Sequence, residues 1–258
     1  MSTNFQKFKS LHTTSELLFL PNAWDARSAI LFQEYGFPAV ATSSAAVANS
    51  LGYEDGENMS FVDYMFVIRR ILSSITVPLT VDIETGYGDD NEEVANNVVW
   101  LAEHGVAGIN IEDSLIDGSH RFLKDPVDFS NRIRFIKEKL KSKDLDIFIN
   151  IRCDTHILNV ADKQRETMSR VKIYNTSGAD GIFIPCIHEK NDITEVVTHS
   201  TLPLNVMCIP GLPDLDALLK LGVKRVTMGP FLFQKVYEGI GKLSQAVISS
   251  GSFSPILP

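Results

Sequence analysis

The chain has 258 residues and a net charge of −8, with 44% hydrophobic and 22% charged residues. That balance describes a folded globular protein and excludes a basic nucleic-acid footprint or an electrostatic pull toward an anionic membrane. No apolar run reaches the roughly 18 residues of a membrane span, and the stretch Met1–Lys9 has no hydrophobic signal core. Cys153, Cys186 and Cys208 are too scattered for a disulfide framework or a zinc pattern, so they are read as packing residues in a cytoplasmic enzyme.

A unit recurs along the chain: a short β-type run, a loop with Gly, Asp or Asn, then a helical pattern. Residues 5–15 predict a leading helix. The first strand is Leu17–Leu20, followed by Pro21-Asn22-Ala23-Trp24-Asp25 and a helix through Ala29–Phe32 that Gly36 ends. Ala39–Thr42 is the second strand. A helix over about 61–73 leads to the third, Leu79–Asp82, and a helix over 91–103, capped by Gly105, leads to the fourth, Gly108–Ile111. Ile147–Ile151 is the fifth, and a helix over about 165–176 precedes the sixth, Gly181–Ile184. Leu204–Met207 and Arg225–Met228 complete the set. Eight strands separated by helices, several as near-continuous apolar runs, predict a parallel sheet closed into a (β/α)8 TIM barrel. It would be one domain over residues 1–258, its length normal for a barrel of about 250 residues.

In a barrel the chemistry sits on the loops after the strands. Asp82 and Glu84 are two residues apart and leave a strand on the same face. Like charges held close either share a proton or bind a cation, and hard oxygen ligands suit Mg²⁺ or Mn²⁺. The competing reading is a pair of solvated loop acids, Asp82 capping a turn. Glu112 ends the neighbouring strand, and Asp113 follows it. Arg152 offers a planar fork for a substrate carboxylate, or else a structural ion pair to Glu112 or Asp113. Ser43 and Ser44 can hold an anionic group or developing oxyanion, or simply cap a helix. Asn22 and Asp25 would fix the first loop and cap its helix. His188 is a loop hydrogen-bond donor or a ligand contact, and His104 a surface or helix-end residue.

Six segments, in order, resemble the isocitrate lyase/phosphoenolpyruvate mutase superfamily: Pro21–Asp25, Thr42–Ser44, Leu51–Gly56, Val81–Gly88, Gly108–Asp113 and Ile151–Asp154. The resemblance covers nearly the whole chain. It implies a barrel whose eighth helix is exchanged between subunits of a homodimer or homotetramer, and Phe231–Ala246 is apolar and helical in period, as such a helix would be. It further implies Mg²⁺ or Mn²⁺ and a small anionic 2-oxo or 2-hydroxy acid or phosphonate that passes through an enolate. By motif match Asp82, Glu84 and Glu112 would hold the metal, with Asp55 bonding its waters. Ser43 and Ser44 would contact substrate, and Arg152 would grip it.

The chain departs from the family in the loop 114–126, expected to be mobile and to close over substrate. It has no cysteine of the lyase type. Ser114 stands where the phosphonomutases carry a lysine, and the asparagine they carry further on is missing. What it offers is His120 and Arg121, with Lys124 behind them. Arg121 and Arg152 are therefore catalytic candidates. His120, with an ordinary pKa of about 6.5, is the candidate general acid, or else a solvated lid residue. The expected function is a Mg²⁺-dependent lyase, by carbon–carbon cleavage or decarboxylation. Carbon–phosphorus chemistry of the phosphonomutase or phosphonopyruvate hydrolase type is the alternative. A Schiff-base aldolase is disfavoured because strand six ends Pro185-Cys186 without a lysine. A non-catalytic metabolite-binding barrel would waste a cluster of acids that is costly to bury.

Overall fold

The structure is a computed structural model that describes residues 3–117 and 120–258. Its strands are β1 (Leu18–Leu20), β2 (Asn22–Ala23), β3 (Val40–Thr42), β4 (Leu79–Asp82), β5 (Gly108–Glu112), β6 (Ser114–Asp117), β7 (His120–Leu123), β8 (Phe148–Arg152), β9 (Gly181–Phe183), β10 (Leu204–Met207) and β11 (Arg225–Thr227). All but β6 and β7 form one parallel sheet in the order β1-β11-β10-β9-β8-β5-β4-β3-β2. The first predicted strand, Leu17–Leu20, is β1, and the strand resumes as β2 within the stretch expected to be the loop after it. Pro21 has no N–H to donate and interrupts it, although its carbonyl still accepts from the Ala41 N–H at 2.9 Å. β1 pairs with β11 and β2 pairs with β3, so the two pieces reach the two ends of the sheet and bring it round into a barrel. Nine strands thus occupy eight barrel positions, as expected of a (β/α)8 fold.

Among the described residues ten α-helices surround the strands: α1 (Asn4–Leu11), α2 (Ala26–Glu34), α3 (Ser44–Ser50), α4 (Phe61–Leu72), α5 (Asn91–Glu103), α6 (Pro126–Ser142), α7 (Lys163–Tyr174), α8 (Lys190–His199), α9 (Leu215–Leu221) and α10 (Phe231–Ser250). Seven of them, α1 to α6 and α9, start on a side-chain cap, and α7, α8 and α10 do not. Asp25 accepts from the Ser28 N–H at 2.7 Å and caps α2, as the sequence predicts. His104 closes α5, stacked on Trp100. The 17-residue α6 has no counterpart among the predicted elements, although Phe129, Ile133, Ile136 and Leu140 mark its buried stripe.

The larger apolar core lies between sheet and helices. A smaller one, Phe8, Leu18, Leu20, Ala39, Ala41, Ala107 and Phe148, combines strand residues with α1. Phe8 of α1 is fully buried and meets Phe148 edge-on at 5.4 Å. Buried polar residues on other strands, Thr80, Asn110, Asn150, Asn205 and Thr227, lead toward the strand ends. At the far end of the chain α10 buries only Phe233, and Val236, Tyr237, Ile240, Leu243 and Ile248 stay exposed. The loop after β5 is itself structured: β6 and β7 pair as an antiparallel ribbon from Ser114↔Leu123 to Asp117↔His120. Gly118 and Ser119, part of the expected mobile loop, lie outside the described residues.

Candidate active site

β4 delivers Asp82 to the mouth of the barrel. Its backbone is fixed first: the N–H donates to Thr42 Oγ1 at 3.1 Å and the carbonyl accepts from the Tyr64 hydroxyl at 2.7 Å. Ser44 Oγ lies 3.3 Å from Asp82 Oδ2 and 3.4 Å from Asp55 Oδ1, linking the two acids. Asp82 Oδ1 is buried and has no hydrogen-bond partner. Burial raises the Asp82 pKa against the opposing pull of Arg152. Ser43 is the N-cap of α3, accepting from the Ala46 N–H at 3.3 Å, and also lines the cavity.

Glu84 sits in the left-handed region at φ +50°, which turns its side chain away from a simple strand continuation. Its Oε1 accepts from the Tyr87 hydroxyl at 2.9 Å and its Oε2 from the Glu57 N–H at 3.0 Å. Burial, followed by repulsion from Asp55, Glu112 and Asp82, pushes its pKa up to about 8. Glu57 is a residue that sequence reasoning missed. Its carboxylate accepts from the Thr85 N–H, the Thr85 hydroxyl and the Tyr87 N–H at 2.8, 2.8 and 3.0 Å, and so holds the turn that carries Glu84. The only sequence signal was its place directly after Leu51–Gly56.

The end of β5 separates two acids with different tasks. Asp113 points away from the cavity into an ion pair with Arg170 at 3.0 Å, accepting also from the Tyr174 hydroxyl at 2.7 Å. Glu112 faces the site, fully buried, between two arginines. Arg152 Nη1 is 3.0 Å from Oε2 and Arg121 Nη1 is 2.7 Å from Oε1. Ser114 Oγ lies 3.0 Å from Glu112 Oε1 and 2.8 Å from Asp154 Oδ2. Arg152 Nε also donates to Asp154 Oδ1 at 2.6 Å, and its Nη1 is 4.0 Å from Asp82. The structural reading of Arg152 therefore holds for Glu112 and not for Asp113, while its guanidinium still borders the cavity. Burial raises Glu112 to about 7 even against the arginines.

The ribbon places His120 and Arg121 differently. Along β7 the residues alternate exposed, half-buried, exposed, half-buried, so Arg121 turns in toward the acids while His120 lies on the outer face. Lys124 is buried with its Nζ 5.7 Å above the Phe129 ring, outside the cavity, its pKa lowered to about 8 by burial and by Arg132. His188 is not drawn in either. It stands 3.1 Å from the Cys186 carbonyl oxygen through Nδ1 and 3.3 Å from Glu189 through Nε2.

Of these groups Ser43, Ser44, Asp55, Asp82 and Arg152 line a cavity of about 150 Å³, together with Asn22, Asn110 and Thr227, whereas Glu84, Glu112 and Arg121 are not in its lining. Ile157, Phe183, Pro185, Met207 and Pro230 line it as well. It is smaller than the ~300 Å³ at which drug-sized pockets begin, and so takes a small acid. A groove of about 410 Å³ elsewhere, around Lys9, His12 and Asp180, holds none of these acids.

Among the described residues, no three His, Cys, Asp or Glu side chains come close enough together to ligate one ion directly. Glu84 is taken up by Tyr87 and the Glu57 amide, and Glu112 by the arginines. The unpartnered, buried Asp82 Oδ1 does fit a cation. Mg²⁺ keeps several waters and is often bound through one or two carboxylates, so Asp82 can serve it directly while Asp55, Glu84 and Glu112 act through water.

Residues 8–248 match the phosphoenolpyruvate phosphomutase family. The uncharacterized protein Rv1998c of Mycobacterium tuberculosis (strain ATCC 25618 / H37Rv) is 34% identical over 86% of this chain and 81% of its own. Oxaloacetate decarboxylase 1 of Pseudomonas fluorescens (strain Pf0-1) is 28% identical over 86% and 77%. A solved structure from Burkholderia cenocepacia J2315, provisionally assigned as a phosphonomutase, superposes with a TM-score of 0.88 at 32% identity, covering 94% of this chain and 98% of that one. The chain belongs to the phosphoenolpyruvate phosphomutase family.

Proposed function

We propose that the protein is a Mg²⁺-dependent (or Mn²⁺-dependent) lyase that cleaves a carbon–carbon bond of a small 2-oxo or 2-hydroxy carboxylate, decarboxylation included, through an enolate. The observation that carries this reading is the buried, unpartnered Asp82 Oδ1 in a cavity of about 150 Å³ bordered by Arg152. The decarboxylase relative from Pseudomonas fluorescens supports the same class.

A bound divalent ion would supply Lewis-acid stabilisation of the enolate charge. The chain's own residues do the rest. Ser44, at the N-terminal end of α3, orients Asp82 and Asp55 and borders the place where an anionic oxygen would lie. Arg152, braced by Asp154 and Glu112, presents its remaining N–H groups to the substrate carboxylate. Arg121 ties the β6–β7 ribbon over Glu112 and Asp154 and limits water entry. Arg121 is committed to Glu112 and Asp154, and in this reading water returns the proton to the enolate carbon.

The phosphonomutase alternative is weakened by Ser114, which lies buried between Glu112 and Asp154 where those enzymes carry a lysine. The exposed apolar side of α10 supports a homodimer or homotetramer in which that helix packs on a partner. No helix among the described residues is long and apolar enough to cross a membrane, and a cytoplasmic location remains our reading. The test is deuterium exchange: with Mg²⁺ in D₂O the enzyme should exchange the methyl protons of pyruvate, and exchange no faster than in metal-free buffer would reject enolate chemistry.

A further inference from the structure

We infer that a second cavity, between the β6–β7 ribbon and the starts of α5 and α6, is an anion site in which Lys124 and Arg132 hold the phosphate of a small phosphomonoester. The inference does not depend on the lyase reading.

This cavity has a volume of about 510 Å³, and its lining includes Asn91 of α5, Leu115 of β6, Lys124, and Phe129 and Arg132 of α6. It shares no lining residue with the cavity at the barrel mouth. Lys124 is only 8% exposed, and its buried Nζ has no hydrogen-bond partner. The Phe129 ring that Nζ overhangs at 5.7 Å lines the same space. The Lys124 backbone is fixed, its N–H donating to the Asp113 carbonyl at 2.8 Å and its carbonyl accepting from Arg170 Nη2 at 3.0 Å. Arg132 donates through Nε to Asn91 Oδ1 at 2.7 Å, which leaves the outer edge of its guanidinium for a ligand.

Neither cation makes an ion pair among the described residues, whereas Arg121, Arg152 and Arg170 are each paired with carboxylates. A buried cation without a counter-charge is costly, and two neighbouring ones repel. Burial, then Arg132, lowers the Lys124 pKa to about 8, and burial lowers that of Arg132. A phosphomonoester carries about two negative charges and three acceptor oxygens, enough for an ammonium and a guanidinium together. Two acids also border the cavity. Asp125 is committed to α6, accepting from the Val127 and Asp128 N–H groups at 2.8 and 3.0 Å. Asp128 is exposed and free to accept from a hydroxyl. Neither is among the charges that act on Arg132, which are Glu57 and Asp90. The volume lies within the ~300–1,000 Å³ of small-molecule pockets, so the body of a polyol ester fits beyond its phosphate.

The test is calorimetry on the full-length protein in metal-free buffer, with glycerol 3-phosphate and inorganic phosphate as probes. The ester should bind at least threefold tighter than phosphate. Lys124→Met and Arg132→Met should each weaken it at least tenfold, and Asp128→Ala, an exposed change, should bring the ester to within twofold of phosphate. Asp82→Asn, at the barrel mouth, should change nothing. Absence of binding by the wild type, or unweakened binding by Lys124→Met or Arg132→Met, would overturn the inference. Phosphate binding tighter than the ester would also overturn it, by assigning the site to the free ion. Loss of binding in Asp82→Asn would do so as well, by moving the anion to the barrel mouth.

Discussion

Arg121 Nη1 stands 2.7 Å from Glu112 Oε1 while Arg152 Nη1 stands 3.0 Å from Oε2, so one fully buried carboxylate is held from both sides. The two arginines differ in how they are anchored. Arg152 ends β8, inside the barrel wall, whereas Arg121 belongs to the ribbon outside it.

In the lyase reading Arg121 and a bound cation would compete for the charge of Glu112. Arg121→Met should raise Mn²⁺ affinity about tenfold, which is ~1.4 kcal/mol, and should make residues 114–126 more sensitive to protease. A Mn²⁺ titration followed by electron paramagnetic resonance checks the first; unchanged affinity would show that Arg121 does not compete.

Asp82→Asn replaces a carboxylate whose buried Oδ1 has no hydrogen-bond partner. Mg²⁺ affinity should fall at least 100-fold while the circular dichroism spectrum and melting temperature change little, since Tyr64 and Thr42 hold the Asp82 backbone rather than its side chain.

Metal binding should depend on pH. Glu84 and Glu112 are raised to about 8 and about 7 without metal, so near neutral pH the cluster still holds protons that a cation must displace. Affinity should rise from pH 6 to pH 8.5. The stability of the metal-free protein follows the opposite slope. Between pH ~4.5 and ~8 these two carboxyls bind more protons in the native state than in the unfolded chain, so their contribution to stability falls as pH rises. The melting-temperature gain on adding Mg²⁺ should accordingly be larger at pH 8.5 than at pH 6, read by differential scanning calorimetry.

Asp113, next to Glu112 in sequence, is structural. Asp113→Ala would leave the Arg170 guanidinium buried without its carboxylate, and breaking such a pair costs ~3–5 kcal/mol. Denaturant unfolding should show that loss, and a loss below ~1 kcal/mol would mean the pair is not holding α7 to β5.

Arg225 is fully buried over the Phe8 ring at 5.6 Å, and its guanidinium nitrogens have no protein partner. Burial lowers its pKa to about 9, so the native state binds fewer protons than the unfolded one between pH ~9 and ~12.5, and stability rises with pH there. Arg225→Met should stabilise the protein by ~1 kcal/mol or more at pH 7 by removing an unpaired buried charge. A lower melting temperature would show that the charge is compensated inside the barrel.

The amino-acid sequence by itself determined the order of the strands, the helix 91–103 to the residue, the cap at Asp25 and the acids at the ends of β4 and β5. These follow from local chemistry: period-two and period-3.6 patterns, and side chains that bond amides three residues on. The stripe Phe129, Ile133, Ile136 and Leu140 was equally legible and would have revealed α6. Only the tertiary structure decided that Asp113 turns to Arg170 while Glu112 turns to Arg121 and Arg152, that Glu57 braces the turn of Glu84, and that His120 faces outward. Adjacent residues on a strand take opposite faces, but which face meets the barrel mouth is set by what packs there. For these residues the partners are 9 to 57 positions away.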